Sequence, residues 1–430
     1  MNQPPPNPQV SARPLMSKLW QSGIILSAAN FLTLAIGYGF QTIVSRQLGG
    51  TSGDYGLVLT TIVFIGFLGL PLAIASQAVT HYIARFHFSG DDARLHGMLA
   101  GCRKFLLHIT IAGSLIAIVL VEPLGHYFNV PRTSLTLIAL LCVLTGLWGS
   151  YLSVLCQGLG WFKRLALIAL LATILRFLFG AITTRIWPVA EWAVAASAVM
   201  VLANLVLFFW RKDFPRRTGV VVSPWNSEFA QFLVVSAACV GGGWFFSQGD
   251  QLVANKFFSK ADIDAYGSAG LLARTLPVIS GPLLSVLFTH RSGREHHHDD
   301  DLQEQLKLIG LYAFALIFGA AGLFMLKDFA LHILGRNTPQ AAGMIAPLSI
   351  TMIFVGLLQA LALWALASRW LKISLFYGAL GLGYWLTLLF LGKNPVTLLH
   401  TMPIFAAIAF GLLFSTWLIA MWRQKPASQS

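Results

Sequence analysis

The sequence predicts an all-α polytopic membrane protein of about twelve transmembrane helices, in two six-helix bundles related by a pseudo-two-fold axis along the membrane normal. Three observations carry this expectation. Of 430 residues, 56% are hydrophobic and only 10% charged, whereas a soluble domain averages about a quarter charged. The apolar residues fall in runs of about twenty, each long enough to cross a ~30 Å hydrocarbon core as a helix. A Tyr-Gly…Pro pattern also recurs half a chain apart.

The chain opens on a Pro-rich, weakly basic tail, MNQPPPNPQVSARP. Residues 1–17 are expected to form this tail on the cytoplasmic side. The apolar segment that follows is too long for the core of a cleaved signal peptide and is expected to stay as a spanning helix. The first bundle, 18–215, holds spans at Trp20–Ser45, Tyr55–Ala84, Phe105–Val121, Leu135–Gly158, Leu165–Thr184 and Trp187–Trp210. The second, 216–430, holds spans at Phe229–Asn255, Ala265–His290, Leu308–Leu326, Ala341–Ala367, Leu371–Leu391 and Val396–Trp422. Trp187, Trp192, Trp210, Trp370 and Trp422 lie near span ends, where aromatic residues anchor at the interface.

The basic residues orient these spans. With the N-terminus cytoplasmic, nineteen Lys and Arg fall on the inner side and eight on the outer side. Such an excess places both termini inside. The net charge of +13 then needs no nucleic-acid partner. Cys102, Cys142, Cys156 and Cys239 lie in or near apolar segments without paired spacing and read as small buried hydrophobes.

Span two begins Tyr55-Gly56 and reaches Pro71; span eight begins Tyr266-Gly267 and reaches Pro282. Fourteen residues separate Gly from Pro in each, and the offset is 211 residues. Six spans lie between the copies, so they point the same way, as in parallel repeats. Pro71, Pro277 and Pro282 each remove a backbone donor and are candidate hinges.

More than four residues from either end of a span, only three charged residues occur: Arg176, Asp250 and Arg274. An ionised group there costs ~2.5–3.5 kcal/mol on insertion scales, so it faces a water-filled cavity or a partner. Arg176 lies about a dozen residues past Arg164, ~18 Å along a helix, and Arg274 lies at similar depth from the other side. A cationic pair at mid-membrane suits an anionic group such as a phosphate or diphosphate, which guanidinium forks match. Asp250 is expected to pair with Arg274 in the next span, fixing helix register, or to bind a coupling H⁺ or Na⁺.

Two stretches resemble a known family. NFLTLAIGYGFQTIVSRQLGGTSGDYGLV carries Leu48-Gly49 and Tyr55-Gly56, and DQLVANKFFSKADIDAYGSAGLLARTLPVISGPLLSVLF carries Asp250, Phe258-Ser259, Tyr266, Arg274 and Pro282. Over about ninety residues the sequence is similar to the polysaccharide (Wzx-type) flippases of the multidrug/oligosaccharidyl-lipid/polysaccharide (MOP) superfamily. The resemblance implies two six-helix lobes around a cavity open alternately to each side. It implies transport of an undecaprenyl-diphosphate-linked oligosaccharide, an exopolysaccharide or O-antigen unit, across a bacterial inner membrane. The expected partners are that lipid-linked glycan, membrane lipids and a polysaccharide polymerase or export machinery, with the chain itself a monomer. Span eight departs from the family by ending FTHRS where Phe-Pro is common.

The rivals are a drug or metabolite exporter of the MATE-like type, a major-facilitator protein and a membrane enzyme. Exporters of cationic drugs favour acidic cavities, whereas here two Arg outnumber one Asp. The Gly-Asp-rich turn of major facilitators is absent from IARFHFSGDDARLHG. Polymerases and ligases carry a large outer loop, and no outer loop here exceeds about a dozen residues. No catalysis and no metal or other cofactor is therefore expected. Asp91-Asp92 stands alone in a short loop, and the run REHHHDDD, Arg294 to Asp301, reads as a solvated loop because adjacent residues converge poorly on one ion.

Overall fold

The computed structural model describes residues 12–48, 54–127, 132–209, 227–292, 302–335, 338–367 and 370–423, and among them there is no strand. The first half comprises α1 (Ala12–Gln47), α2 (Asp54–Leu68), α3 (Leu70–Ser89), α4 (Asp92–Tyr127), α5 (Thr133–Gly158), α6 (Phe162–Ile186) and α7 (Ala190–Phe209). The second comprises α8 (Ser227–Phe257), α9 (Lys260–Ser292), α10 (Leu302–Met325), α11 (Lys327–Ile333), α12 (Pro339–Ala367), α13 (Leu371–Leu391) and α14 (Pro395–Arg423).

Among the described residues, seven helices are long and apolar enough to cross a membrane, and nine if each of two bent pairs counts as one span. The bent pairs are α2 with α3 and α10 with α11; the other three expected spans fall on α1, α7 and α9. The outward faces are those of a membrane protein. Phe318 is 71% exposed, Val119 74% and Phe390 74%, a belt of large apolar side chains that water would penalise and hydrocarbon accepts.

Span two is not one helix. It breaks at Gly69 and bends by 49°. Pro71 supplies the cause: its missing N–H leaves the Phe67 carbonyl without its helical donor, so the chain restarts with Pro71 in the first turn of α3. In contrast, α9 runs through Pro277 and Pro282 as a single helix. Of the three candidate hinges, only Pro71 coincides with a break. At the start of α4 the Asp91 side chain accepts from the Arg94 backbone N–H at 3.0 Å, an ordinary helix cap. The four cysteines are free and buried. The His-Asp run at 294–301 lies outside the described residues.

The two halves repeat one packing scheme. α1 packs on α6 as α8 packs on α13; α2 and α3 pack on α5 as α9 packs on α12; α5 packs on α7 as α12 packs on α14. The α8–α13 crossing is tight enough for the backbones to touch. A Cβ on Gly381 would stand 2.6 Å from Gly242 Cα, so small residues are required there.

The halves meet at the end where α1 leads into α2. The Gly56 N–H donates to Asp264 Oδ1 at 2.6 Å, with both groups buried. Thr60 Oγ1 donates to Asn255 Oδ1 at 3.2 Å. Ser45 Oγ donates to the Leu334 carbonyl at 2.8 Å, and Arg46 Nε to the Ile333 carbonyl at 2.8 Å. These last bonds cap the C-terminal carbonyls of α11, which sequence patterning did not anticipate. Towards the opposite end, α3 meets α8 through a Tyr82–Phe229 ring contact at 5.2 Å and an Arg85–Glu228 ion pair at 2.8 Å.

Candidate functional site

Between the halves lies a cavity of about 790 Å³, walled by α1, α2, α6 and α7 on one side and by α8 and α9 on the other. It begins beneath the Gly56–Asp264 contact, at Leu59 and Gly267, and extends away from it to Phe31 and Val278. Much of its wall is apolar. Arg176 from α6 and Arg274 from α9 both line it, so the structure brings together the two intramembrane arginines that the sequence singled out.

Their surroundings differ. Arg176 packs its guanidinium over the Phe40 ring, 4.6 Å from the centroid, a cation–π contact. One turn on, Gly180 makes room for that ring: a Cβ there would lie 2.2 Å from Phe40. The Nε of Arg176 has no hydrogen-bond partner. Among the described residues no carboxylate pairs with it.

Arg274 is held on three sides. Its Nε donates to the Ser247 carbonyl at 2.9 Å, its Nη1 to Gln251 Oε1 at 3.3 Å, and its Nη2 to Asp250 Oδ2 at 2.5 Å. Ser247, Asp250 and Gln251 share one face of α8, being three and four residues apart. Tyr266 and Arg274 share one face of α9, about two turns apart. The alignment of these two faces creates the cluster. Asp250 is fully buried. Its Oδ2 also accepts from the Tyr266 hydroxyl, while its Oδ1 has no partner.

The expected Asp250–Arg274 ion pair is therefore present, and Asp250 sits behind Arg274. Sequence reasoning missed Tyr266 as a partner of Asp250 and Gln251 as a clamp on Arg274. The Tyr-Gly repeat had marked Tyr266, but as a helix start. Chemically, the cavity offers one guanidinium free of any acid and one already neutralised, on an apolar wall. That combination accommodates an amphipathic anion. Among the described residues no cluster of His, Cys, Asp and Glu is arranged to hold a metal ion.

No family model matches the chain, and no curated protein does. Solved structures do match in fold. An inward-facing multidrug resistance MATE family transporter of the MOP superfamily aligns over 94% of this chain and 99% of its own, with a TM-score of 0.62 and 13% identity. The lipid II flippase MurJ, in an inward closed conformation, aligns over 91% of this chain and 87% of its own, with a TM-score of 0.68 and 13% identity. A MOP superfamily transporter from Pyrococcus furiosus, described as having a binding pocket of reverse polarity, aligns over 94% and 96%, with a TM-score of 0.53 and 13% identity. The chain is a multi-pass membrane protein with the fold of the MOP-superfamily transporters. Within that fold its neighbours include both a multidrug transporter and a lipid flippase.

Proposed function

We propose that the chain is a flippase that carries an undecaprenyl-diphosphate-linked oligosaccharide from the inner to the outer leaflet of a bacterial inner membrane by alternating access. The observation that carries this reading is the cavity between the halves, lined by Arg176 from one and Arg274 from the other, with no acid on Arg176 among the described residues. An uncompensated guanidinium at a low-dielectric wall favours phosphate oxygens, which it binds through paired N–H donors. The apolar wall suits a lipid chain. The comparison with a lipid II flippase supports a lipid-linked cargo, and its glycan would pass to a polymerase or export machinery. No catalytic step is required. The termini are cytoplasmic on the evidence of the basic residues, and the chain works as a monomer. A gradient of H⁺ or Na⁺ supplies the driving force.

The rival is a MATE-like exporter of the same fold. A strain lacking the chain separates the two. The flippase reading expects lipid-linked oligosaccharide to accumulate on the inner leaflet and surface polysaccharide to disappear. Arg176→Ala, inserted at normal levels, fails to restore it. Normal surface glycan with new sensitivity to toxic cations would establish the exporter instead.

A further inference from the structure

We infer that Asp250 is a resident counter-anion for Arg274: it holds the guanidinium while the carrier is empty and yields it to the phosphate group of the cargo. This inference rests on the anionic-cargo reading above. The geometry of the pair points to exchange. A guanidinium and a carboxylate committed to each other usually form two parallel bonds. Here Asp250 uses one oxygen for both Arg274 Nη2 and the Tyr266 hydroxyl, and leaves Oδ1 buried without a donor. Arg274 in turn engages three of its five N–H groups and remains part of the cavity wall. Gly270 keeps the space beside it, since a Cβ there would lie 2.8 Å from Arg274 Nη1.

An anion in the cavity thus meets a guanidinium that is positioned but neutralised. To gain its full charge the anion must take the Nη2 edge from Asp250. Tyr266 then keeps Asp250 hydrogen-bonded after Arg274 leaves, so the released acid is not stranded. The return stroke needs the same device. Without Asp250, an empty carrier would close around an unpaired Arg274, which is strongly unfavourable in a buried site. Arg176 has its own resting place on Phe40. Both cations are therefore accommodated when no cargo is bound, one by an aromatic face and one by an acid.

The test uses the purified full-length chain with farnesyl diphosphate as an amphipathic diphosphate probe, titrated by calorimetry. Asp250→Asn is expected to bind the probe about tenfold more tightly or better, because the competing charge is gone. The gain must vanish in Asp250→Asn combined with Arg274→Ala. Tyr266→Phe is expected to move affinity the other way, because it leaves a displaced Asp250 without a donor. In proteoliposomes Asp250→Asn should show a lower KM and a lower kcat for net flipping, with exchange between two loaded leaflets retained. Unchanged or weaker binding by Asp250→Asn would overturn the exchange. If Asp250→Asn does not fold, equal or tighter binding by Tyr266→Phe would overturn it as well. Absence of probe binding by folded wild-type protein would instead overturn the anionic-cargo reading itself.

Discussion

Removal of the Asp264 carboxylate should unfasten the halves at the end where α1 leads into α2. The Gly56 N–H donates to Asp264 Oδ1 at 2.6 Å in a buried contact. A Cβ on Gly56 would fall 2.6 Å from that same oxygen, so the glycine exists to let the acid reach the backbone. A hydrogen bond to a charged group is worth about 1.5–3 kcal/mol net, and each 1.4 kcal/mol is about a factor of ten. When the halves part, both groups regain water, so the whole contribution acts on the closed state. Asp264→Ala should therefore shift the balance toward opening at this end by roughly tenfold to a hundredfold. The assay is maleimide labelling of a cysteine placed at Val63, which faces the cavity, with an impermeant reagent added from the α1–α2 side. The native cysteines are buried and give little background. Asp264→Asn, which keeps an acceptor and loses the charge, should fall between wild type and Ala. An unchanged labelling rate in a variant that purifies and melts like wild type would refute the assignment of this contact as a gate.

The other end should behave differently. Arg85 and Glu228 are 48% and 45% exposed, and exposed pairs contribute about 0–1 kcal/mol, so Arg85→Ala should change labelling from that side by less than about fivefold. The glycines of α8 and α13 give a paired test of packing. Gly381→Ala drives a methyl into the Gly242 backbone and should cost about 1–3 kcal/mol, seen as a lower melting temperature in detergent. Gly241→Ala meets nothing within 4 Å and should be neutral or raise it, by up to about 1 kcal/mol from helix propensity.

The all-helical, membrane-spanning character was legible because long apolar runs are the strongest signal a sequence carries. Each expected span falls on a helix or, for span two, on a bent pair. Arg176 and Arg274 were legible for the complementary reason: an isolated charge in such a run needs a cavity or a partner. The break at Gly69 was not. Pro is common in membrane helices, and nothing in the sequence separates Pro71, where the helix restarts, from Pro277, where it continues. The short helix α11 also escaped notice. Seven residues give no usable periodicity, and α11 meets Ser45 and Arg46 through backbone carbonyls, which any residue supplies. The clamp on Arg274 was invisible too, since it depends on the registration of α8 against α9 and not on spacing within either.

The internal repeat carries a further point. The 211-residue offset that relates Tyr55-Gly56 to Tyr266-Gly267 also relates Val63 to Arg274. The glycines that keep the repeat sit where the halves touch: Gly56 against Ile263 and Asp264, Gly267 against Leu59. The positions between Gly and Pro differ across the offset, and one such pair, Val63 and Arg274, lines the cavity. Gly56 and Gly267 thus place the same small residue at the contact in each half, and Gly267 also borders the cavity. Only the second half therefore puts a cation at this level of the cavity, and the site is not two-fold. The same logic separates the two arginines. Arg176 and Arg274 arise on helices that are not repeat partners, α6 and α9, and rest on unlike groups, Phe40 and Asp250. A carrier with two identical cation sites would bind an anion equally well in two orientations. In the anionic-cargo reading proposed above, one open and one masked guanidinium would give the cargo a single preferred entry, with Arg176 engaged first and Arg274 only after Asp250 has moved aside.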